Sequence, residues 1–536
     1  MRRRTPSKRK SKTTGWTRAR AKRPRSPRSA EVTHADTVIV GAGAAGSVIA
    51  ARMTEDGAHD VLLLEAGPDY PPGTRLPADL VDGTRNSTRA HDWGYAMTPT
   101  PRASSMDFPR GRVVGGSSAV NTCIALRGMP YDFDEWAALG LPDWSWERCR
   151  PAFLRLETDL DKRDEHHGSA GPIPIRRHPP AELTRWQAAF MAACDELGYA
   201  ENPDANRPDT TGCAPHPMNK VDGQRMGAAR CYLTAEVRAR PGLRIMAHTH
   251  VVRVVFEGQR AIGVEVTRGG ERSVIRAEQV VLASGAISTP GILLRSGVGP
   301  RAELERLGVP RVADVPGVAA RLLDHPGVAM FYLPKPGVAD VRDALVQTHL
   351  RYAAEGSSRL NDMQLQPGSL VPLPVAELPA VSLMAAVGKP RGHGLLRFPT
   401  ALAHQKPVIE LRALAHPDDL EQAAEALELA WLLGSTAPMR ELATLALPSE
   451  RGLGSRASFR EIARRQCGSG YHPCGSAKMG ADDDPLAVTD GRGRVRGVTG
   501  LRVADASLMP TIPSGNIHLP TLMMGERFGE WLRDGT

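Results

Sequence analysis

The chain has 536 residues, 41% of them hydrophobic, which is more than one compact core usually serves, so two lobes or domains are expected. Its net charge of +9 suggests nucleic acid until the charge is located: residues 1–29 hold 13 of the 68 Lys and Arg and no acid, leaving 55 basic against 59 acidic residues, a balance of −4. No specific nucleic-acid partner is therefore expected of the body, and no run of about 18 or more apolar residues offers a transmembrane segment.

In chain order, residues 1–35 read as a basic disordered tail, too poor in apolar side chains to offset the entropy of ordering. No apolar stretch follows its arginines, so it is not expected to be a secretory signal. The seven cysteines are scattered without a C-x-x-C pair, which argues against zinc and suits a reducing compartment, so the cytoplasm and no metal are expected.

The body opens with "DTVIVGAGAAGSVIAARMTEDGAHDVLLLEAG". A buried β-run, Thr37 to Val40, leads into Gly41, Gly43 and Gly46 and a helical pattern from Ala44 and Ala45 to Met53. A second apolar run, Val61 to Leu64, ends at Glu65, 19 residues beyond Gly46. Strand, tight turn, helix, strand and acid in this register form a dinucleotide fingerprint. The helix N-terminus stabilises a pyrophosphate, and Glu65, placed to bind a ribose, disfavours a 2′-phosphate, which leaves NAD and FAD.

Two later stretches are rich in small residues. In "RGRVVGGSSAVNTCIALRG" the run Gly115 to Ala119 is too small-residued for a packed helix and lets backbone pass close to a flat ligand. In "VVLASGAISTPGILLRSGVGP" a strand turns at Gly285 into a helix expected to begin near Thr289 and Pro290. Near the C-terminus, "YHPCGSAKMG" holds His472 beside a proline, and "GNIHLPTLMMGERFGEWL" places His518 two residues before Pro520 at the head of a helical pattern. That helix end is expected to lower the His518 pKa.

These stretches, with "LLDHPG" and "LRVADASLMPTIPSGNIHLPTLMMGER", resemble the signature segments of the glucose-methanol-choline (GMC) family of FAD-dependent oxidoreductases, in the family's order and from about residue 36 to 534. The resemblance implies an α/β fold. A Rossmann-like FAD-binding domain would be assembled from discontinuous segments, 36–155, 210–325 and 470–534, with an inserted α+β substrate-binding domain, 156–209 and 326–469. It implies an FAD-dependent alcohol dehydrogenase or oxidase, choline dehydrogenase-like in sequence, with His472 as catalytic base and His518 as second catalytic residue. Gly41, Gly43, Ala44, Ala45, Gly46, Glu65, Val113, Gly115, Gly116, Ser117, Asn121, Val251 and Asp505 are the cofactor-binding candidates it supplies. Some members tether flavin through a histidine where this chain has Val120, so FAD is expected to be held non-covalently.

The expected partners are a small-molecule alcohol and an electron acceptor, whether oxygen, a quinone or another. Residues 326–445 hold only Phe331, Tyr332, Tyr352, Phe398 and Trp431 as aromatics, which argues against an aromatic cage for a quaternary ammonium. Two other readings stand beside oxidation: a hydroxynitrile lyase-type enzyme with structural FAD, and a flavin-binding protein without turnover.

Overall fold

A computed structural model describes residues 34–373 and 376–536. The tail expected over 1–35 lies almost wholly outside the described residues; His34 and Ala35 already belong to the first strand. Two seven-stranded sheets organise the chain. The first runs in the order 243–246, 61–64, 34–40, 271–282, 260–268, 249–257, with Leu501–Val503 added beside 271–282. Its centre is parallel, with Val38 paired to Leu62 on one side and to Val280 on the other. These runs, Val38 to Val40, Val61 to Leu64 and Val280 to Leu282, are almost fully buried, as strands covered on both faces must be, which explains their continuous rather than alternating apolar pattern. Helices Ala44–Met53 and His518–Arg533 pack together against this sheet, so the two ends of the described chain share one core.

The second sheet is antiparallel, in the order 443–447, 326–334, 376–387, 363–373, 348–352, 212–215, with Gly468–Ser469 beside 326–334. Helices Arg185–Glu196, Pro417–Gly434 and Arg456–Gln466 cover its apolar face in a separate core. The cores divide the chain differently from the expected segments at three places. Leu156, Ile173 and Ile175, within 156–209, are buried in the first core. Gly212–Pro215 pairs with Thr348–Tyr352 and so belongs with the second sheet, although it lies beyond position 210. Conversely, Leu396, Phe398, Ile409 and Leu411 from within 326–469 are buried in the first core, where their short hairpin reaches back across the boundary. Among the described residues no helix is long and apolar enough to cross a membrane.

The helix expected near Thr289 starts at Gly285 and carries Pro290 inside it. Proline removes the amide that would have bonded the carbonyl four residues back. Here that carbonyl, of Ala286, accepts instead from the Ser476 hydroxyl at 2.5 Å, so the proline leaves no buried oxygen unsatisfied and the helix continues through it.

Candidate active site

Between the two sheets lies a cavity of about 650 Å³ that runs from the glycine turn after the first strand to the two histidines. At the nucleotide end, Gly41 has φ +102° and a Cβ there would sit 2.6 Å from the Ala283 carbonyl, so only glycine turns the strand into the helix. The first bond of that helix runs from Ser47 N to the Gly43 carbonyl, which leaves the amides of Ala44 and Ala45 without helical partners. Both residues line the cavity, as do Gly41 and Gly43. Glu65 accepts from Ala42 N at 3.2 Å and Gly67 N at 2.8 Å. Its burial outweighs those bonds and raises its pKa to about 7. Gly116, Ser117, Asn121, Val251 and Asp505 also face the cavity.

The other three candidates are placed behind the wall. Gly46 lies under the turn, where a Cβ would meet the Gly41 carbonyl at 2.0 Å. Val113 is buried with Leu80 and Val120, and its carbonyl accepts from Gly116 N at 2.7 Å. Gly115 donates to the Ala42 carbonyl at 2.7 Å, joining its segment to the fingerprint turn. Asp505 is both cavity wall and brace: one oxygen accepts from Ser507 N at 2.8 Å, the other from Gly285 N at 2.8 Å and Thr289 Oγ1 at 2.7 Å. It therefore fixes the start of helix Gly285–Arg295.

At the far end His472 is held by a chain of bonds that decides its tautomer. His325 Nε2 lies 2.9 Å from the Pro513 carbonyl, which can only accept, so Nε2 carries the proton. Burial pushes the His325 pKa down to about 4, and the neutral ring offers a bare Nδ1. His472 Nδ1 stands 2.8 Å from that atom and must donate to it. His472 Nε2 is then unprotonated, and Asn516 Nδ2 donates to it at 3.0 Å. Burial, then His325 and Arg110, hold the His472 pKa well below the usual imidazole value.

The backbone on either side is equally fixed. Asp324 Oδ1 accepts from the amides of both His325 and His472 at 2.8 Å, and its other oxygen accepts from Ser469. Tyr471, the residue before His472, has φ +62°, a left-handed conformation that a bulky side chain adopts at a cost. Ser469 Oγ accepts its amide at 2.7 Å and Arg110 Nη2 donates to its carbonyl at 3.0 Å, which hold it there. His518 begins the C-terminal helix, and its buried Nε2 has no partner. Its pKa falls to about 4, and burial is a cause.

Sequence reasoning missed His325, Asn516 and Arg110. The first stood in plain view in "LLDHPG" and the second two residues before His518, but nothing local to either stretch says that they meet His472.

Family models of the GMC oxidoreductases match residues 35–327 and 390–525. The chain belongs to the GMC oxidoreductase family. A 5-(hydroxymethyl)furfural oxidase from Methylovorus sp. is 35% identical over 523 residues, 92% of this chain and 98% of its own. An oxygen-dependent choline dehydrogenase from Chromohalobacter salexigens is 34% identical, covering 93% and 94%. Among solved structures, pyridoxine 4-oxidase from Mesorbium loti superposes with a TM-score of 0.85 at 30% identity, over 92% of this chain and 98% of that one.

This GMC chain is accordingly an FAD-dependent oxidoreductase of alcohols. The cavity fits the cofactor: unpaired helix amides for a pyrophosphate, Glu65 for a ribose, and a Cβ-free crossing where a Cβ on Gly116 would meet Gly43 Cα at 2.7 Å. Val120 lines it with an alkyl side chain that cannot bond flavin, so the FAD is held non-covalently.

Proposed function

We propose that His472 is the base that takes the hydroxyl proton of a small alcohol, and that Asn516 and His518 hold the alcohol oxygen. The observation that carries the reading is the bare Nε2 of His472, fixed by the series Pro513 carbonyl, His325, His472. When bound, FAD supplies the acceptor for the hydride that leaves the carbinol carbon with both electrons of the C–H bond. The hydroxyl proton goes to His472 Nε2, and the alcohol becomes a carbonyl compound. Substrate O–H takes the place of the Asn516 amide on that lone pair, which frees the amide to donate to the substrate oxygen. A positioned base of this kind contributes about 10² to 10⁴ in rate.

A neutral His518, with no bond of its own at Nε2, adds a second polar contact without competing for the proton. Asp505 acts through position alone, since both its oxygens are already committed. The names of the relatives, acting on 5-(hydroxymethyl)furfural, choline and pyridoxine, support a small alcohol as the substrate class.

Single-turnover mixing with a panel of primary alcohols in the absence of oxygen tests the reading. Bleaching of the flavin absorbance is the expected result. Turnover of a cyanohydrin without bleaching by any alcohol would instead establish a lyase.

A further inference from the structure

The wall opposite the glycine turn is a face of the second sheet. Gln364 and Gln366 stand two apart on strand Met363–Leu373 and so point to one side, across from Ala386 and Met384 of the next strand. All four line the cavity. Gln364 pairs with Ala386, Ala386 pairs with Gly327, and Gly327 is two residues beyond His325, the partner of His472. Two strand spacings separate the histidine edge from the glutamines, about 10 Å, which is the span of a one-ring molecule.

The Gln366 amide is oriented from behind. Its Oε1 lies 3.1 Å from His216 Nε2 and 3.2 Å from Gln364 Nε2. His216 is stacked on His349 at 4.2 Å between ring centres, and burial first of all pushes its pKa down to about 3. A neutral His216 facing a carbonyl-type oxygen donates from Nε2, consistent with its Nδ1 being buried without a partner. With its oxygen spent on two donors, Gln366 turns its NH2 toward the cavity.

What such a wall accepts follows from charge. Among the described residues Glu65 and Asp505 are the only acids lining the cavity, and both are committed to backbone amides at the nucleotide end. The positive charges of buried Lys220 and Arg351 act on His216 from behind, and neither residue lines the cavity. A quaternary ammonium would meet amide donors and no carboxylate.

We propose that Gln366, oriented by His216 and Gln364, is the specificity-determining residue, donating to an uncharged hydrogen-bond acceptor on the far side of the substrate. A ring nitrogen or oxygen, an ether, a carbonyl or a second hydroxyl would serve. The proposal rests on the alcohol-oxidation reading of the same cavity, and its test is chosen to be independent of turnover.

The probes are ketones that cannot donate hydride: 3-acetylpyridine and 4-acetylpyridine, which carry the acceptor, and acetophenone, which has the same shape without it. Their dissociation constants are read from perturbation of the flavin spectrum of the holoenzyme. At least one acetylpyridine should bind about five- to tenfold more tightly than acetophenone, the size of a hydrogen bond whose buried donor is otherwise unmade. Gln366→Met, close in length and shape, and Gln366→Leu should each bring the ketones within about twofold, with FAD content unchanged.

Equal binding in the parent protein, or a preference that survives both substitutions, overturns the proposal. So does tighter binding of choline, or of 4-acetylbenzoate, than of either acetylpyridine. Should the ketone preference hold while neither 3-pyridylmethanol nor benzyl alcohol bleaches the flavin, the subsite stands and the oxidation reading falls.

Discussion

Two histidine sites in this protein have opposite electrical fates. His472, His325 and His518 sit in a cavity without a carboxylate in hydrogen-bonding contact with their rings, and burial holds all three neutral. His167, whose side chain is fully covered, lies 3.0 Å from Asp159, 3.3 Å from Glu157 and 2.5 Å from Asp204, with Arg127 and Arg177 closing the ring of charge. Three carboxylates outweigh desolvation and raise its pKa to about 10. The contrast shows what desolvation does when nothing opposes it and when something does. A neutral imidazole can accept a proton, whereas a charged one between carboxylates can only hold the loops around it.

The largest effect expected from breaking this contrast is at His472. His472→Ala should slow flavin reduction by about 10² or more, because the hydroxyl proton loses its acceptor, while FAD stays bound. His518→Asn should cost less, since an amide can still donate to the substrate oxygen. Single-turnover rates of the two variants decide the matter, and equal losses would remove the division of roles.

On the other side, His167→Gln should leave flavin reduction intact and cost the fold about 3 kcal/mol, the scale for removing one partner of a buried ion network. Urea denaturation of both proteins, with the reduction rate measured alongside, would show it. The sign of the pH dependence follows from the two kinds of shift. His167 rises from 6.5 to about 10, so its contribution is complete below about 6.5 and is lost as pH climbs through 10. Asp204 falls from 3.8 to about 2, so its contribution is complete above about 3.8 and is lost as pH drops through 2. The parent and the variant should therefore differ most between about pH 4 and 6.5.

A smaller effect is expected from His325→Gln. The glutamine can offer an oxygen to the Nδ1–H of His472 but cannot reproduce both ring contacts, and the rate should fall by about tenfold with KM for the alcohol little changed. His325→Ala should cost more, because it leaves a buried donor unpaired. A shared loss in KM rather than in the reduction rate would mean that the ring shapes the cavity and does not set the tautomer.

The two sites were unequally legible in the sequence. Gly41, Gly43 and Glu65 are readable because a nucleotide turn is a local device: its residues must follow one another within about thirty positions. His472 and His518 could be named because their stretches match a family pattern. The tautomer chain could not, since it joins residue 325 to 472 and 513 through contacts that only the folded second sheet brings together. Val113 and Gly115 were candidates because their glycine-rich segment resembles the family's flavin-side segment, yet one faces a small apolar cluster and the other is spent on the Ala42 carbonyl. The ion network around His167 has no spacing signature at all, because its members come from five separate stretches of chain, at 127, 157–159, 167, 177 and 204.

The most delicate test of the contrast is an absence of change. If His472, His325 and His518 are all neutral well above pH 5, the proton acceptor is ready throughout the range from 5 to 8, and flavin reduction should vary by no more than about threefold across it. One group could imitate a histidine there: burial raises the Asp324 pKa to about 6, and this carboxylate accepts the backbone amides of both His325 and His472. Its protonation would loosen the frame without filling the lone pair on His472 Nε2, so the step it produces should be shallow. Asp324→Asn keeps an oxygen for those amides and removes the titration. A shallow step near pH 6 that vanishes in this variant belongs to Asp324 and leaves the neutral histidines standing. A tenfold fall in rate below about pH 6.5 that persists in it would mean that His472 titrates as an ordinary imidazole, and that the cavity does not desolvate it in the way the contrast with His167 requires.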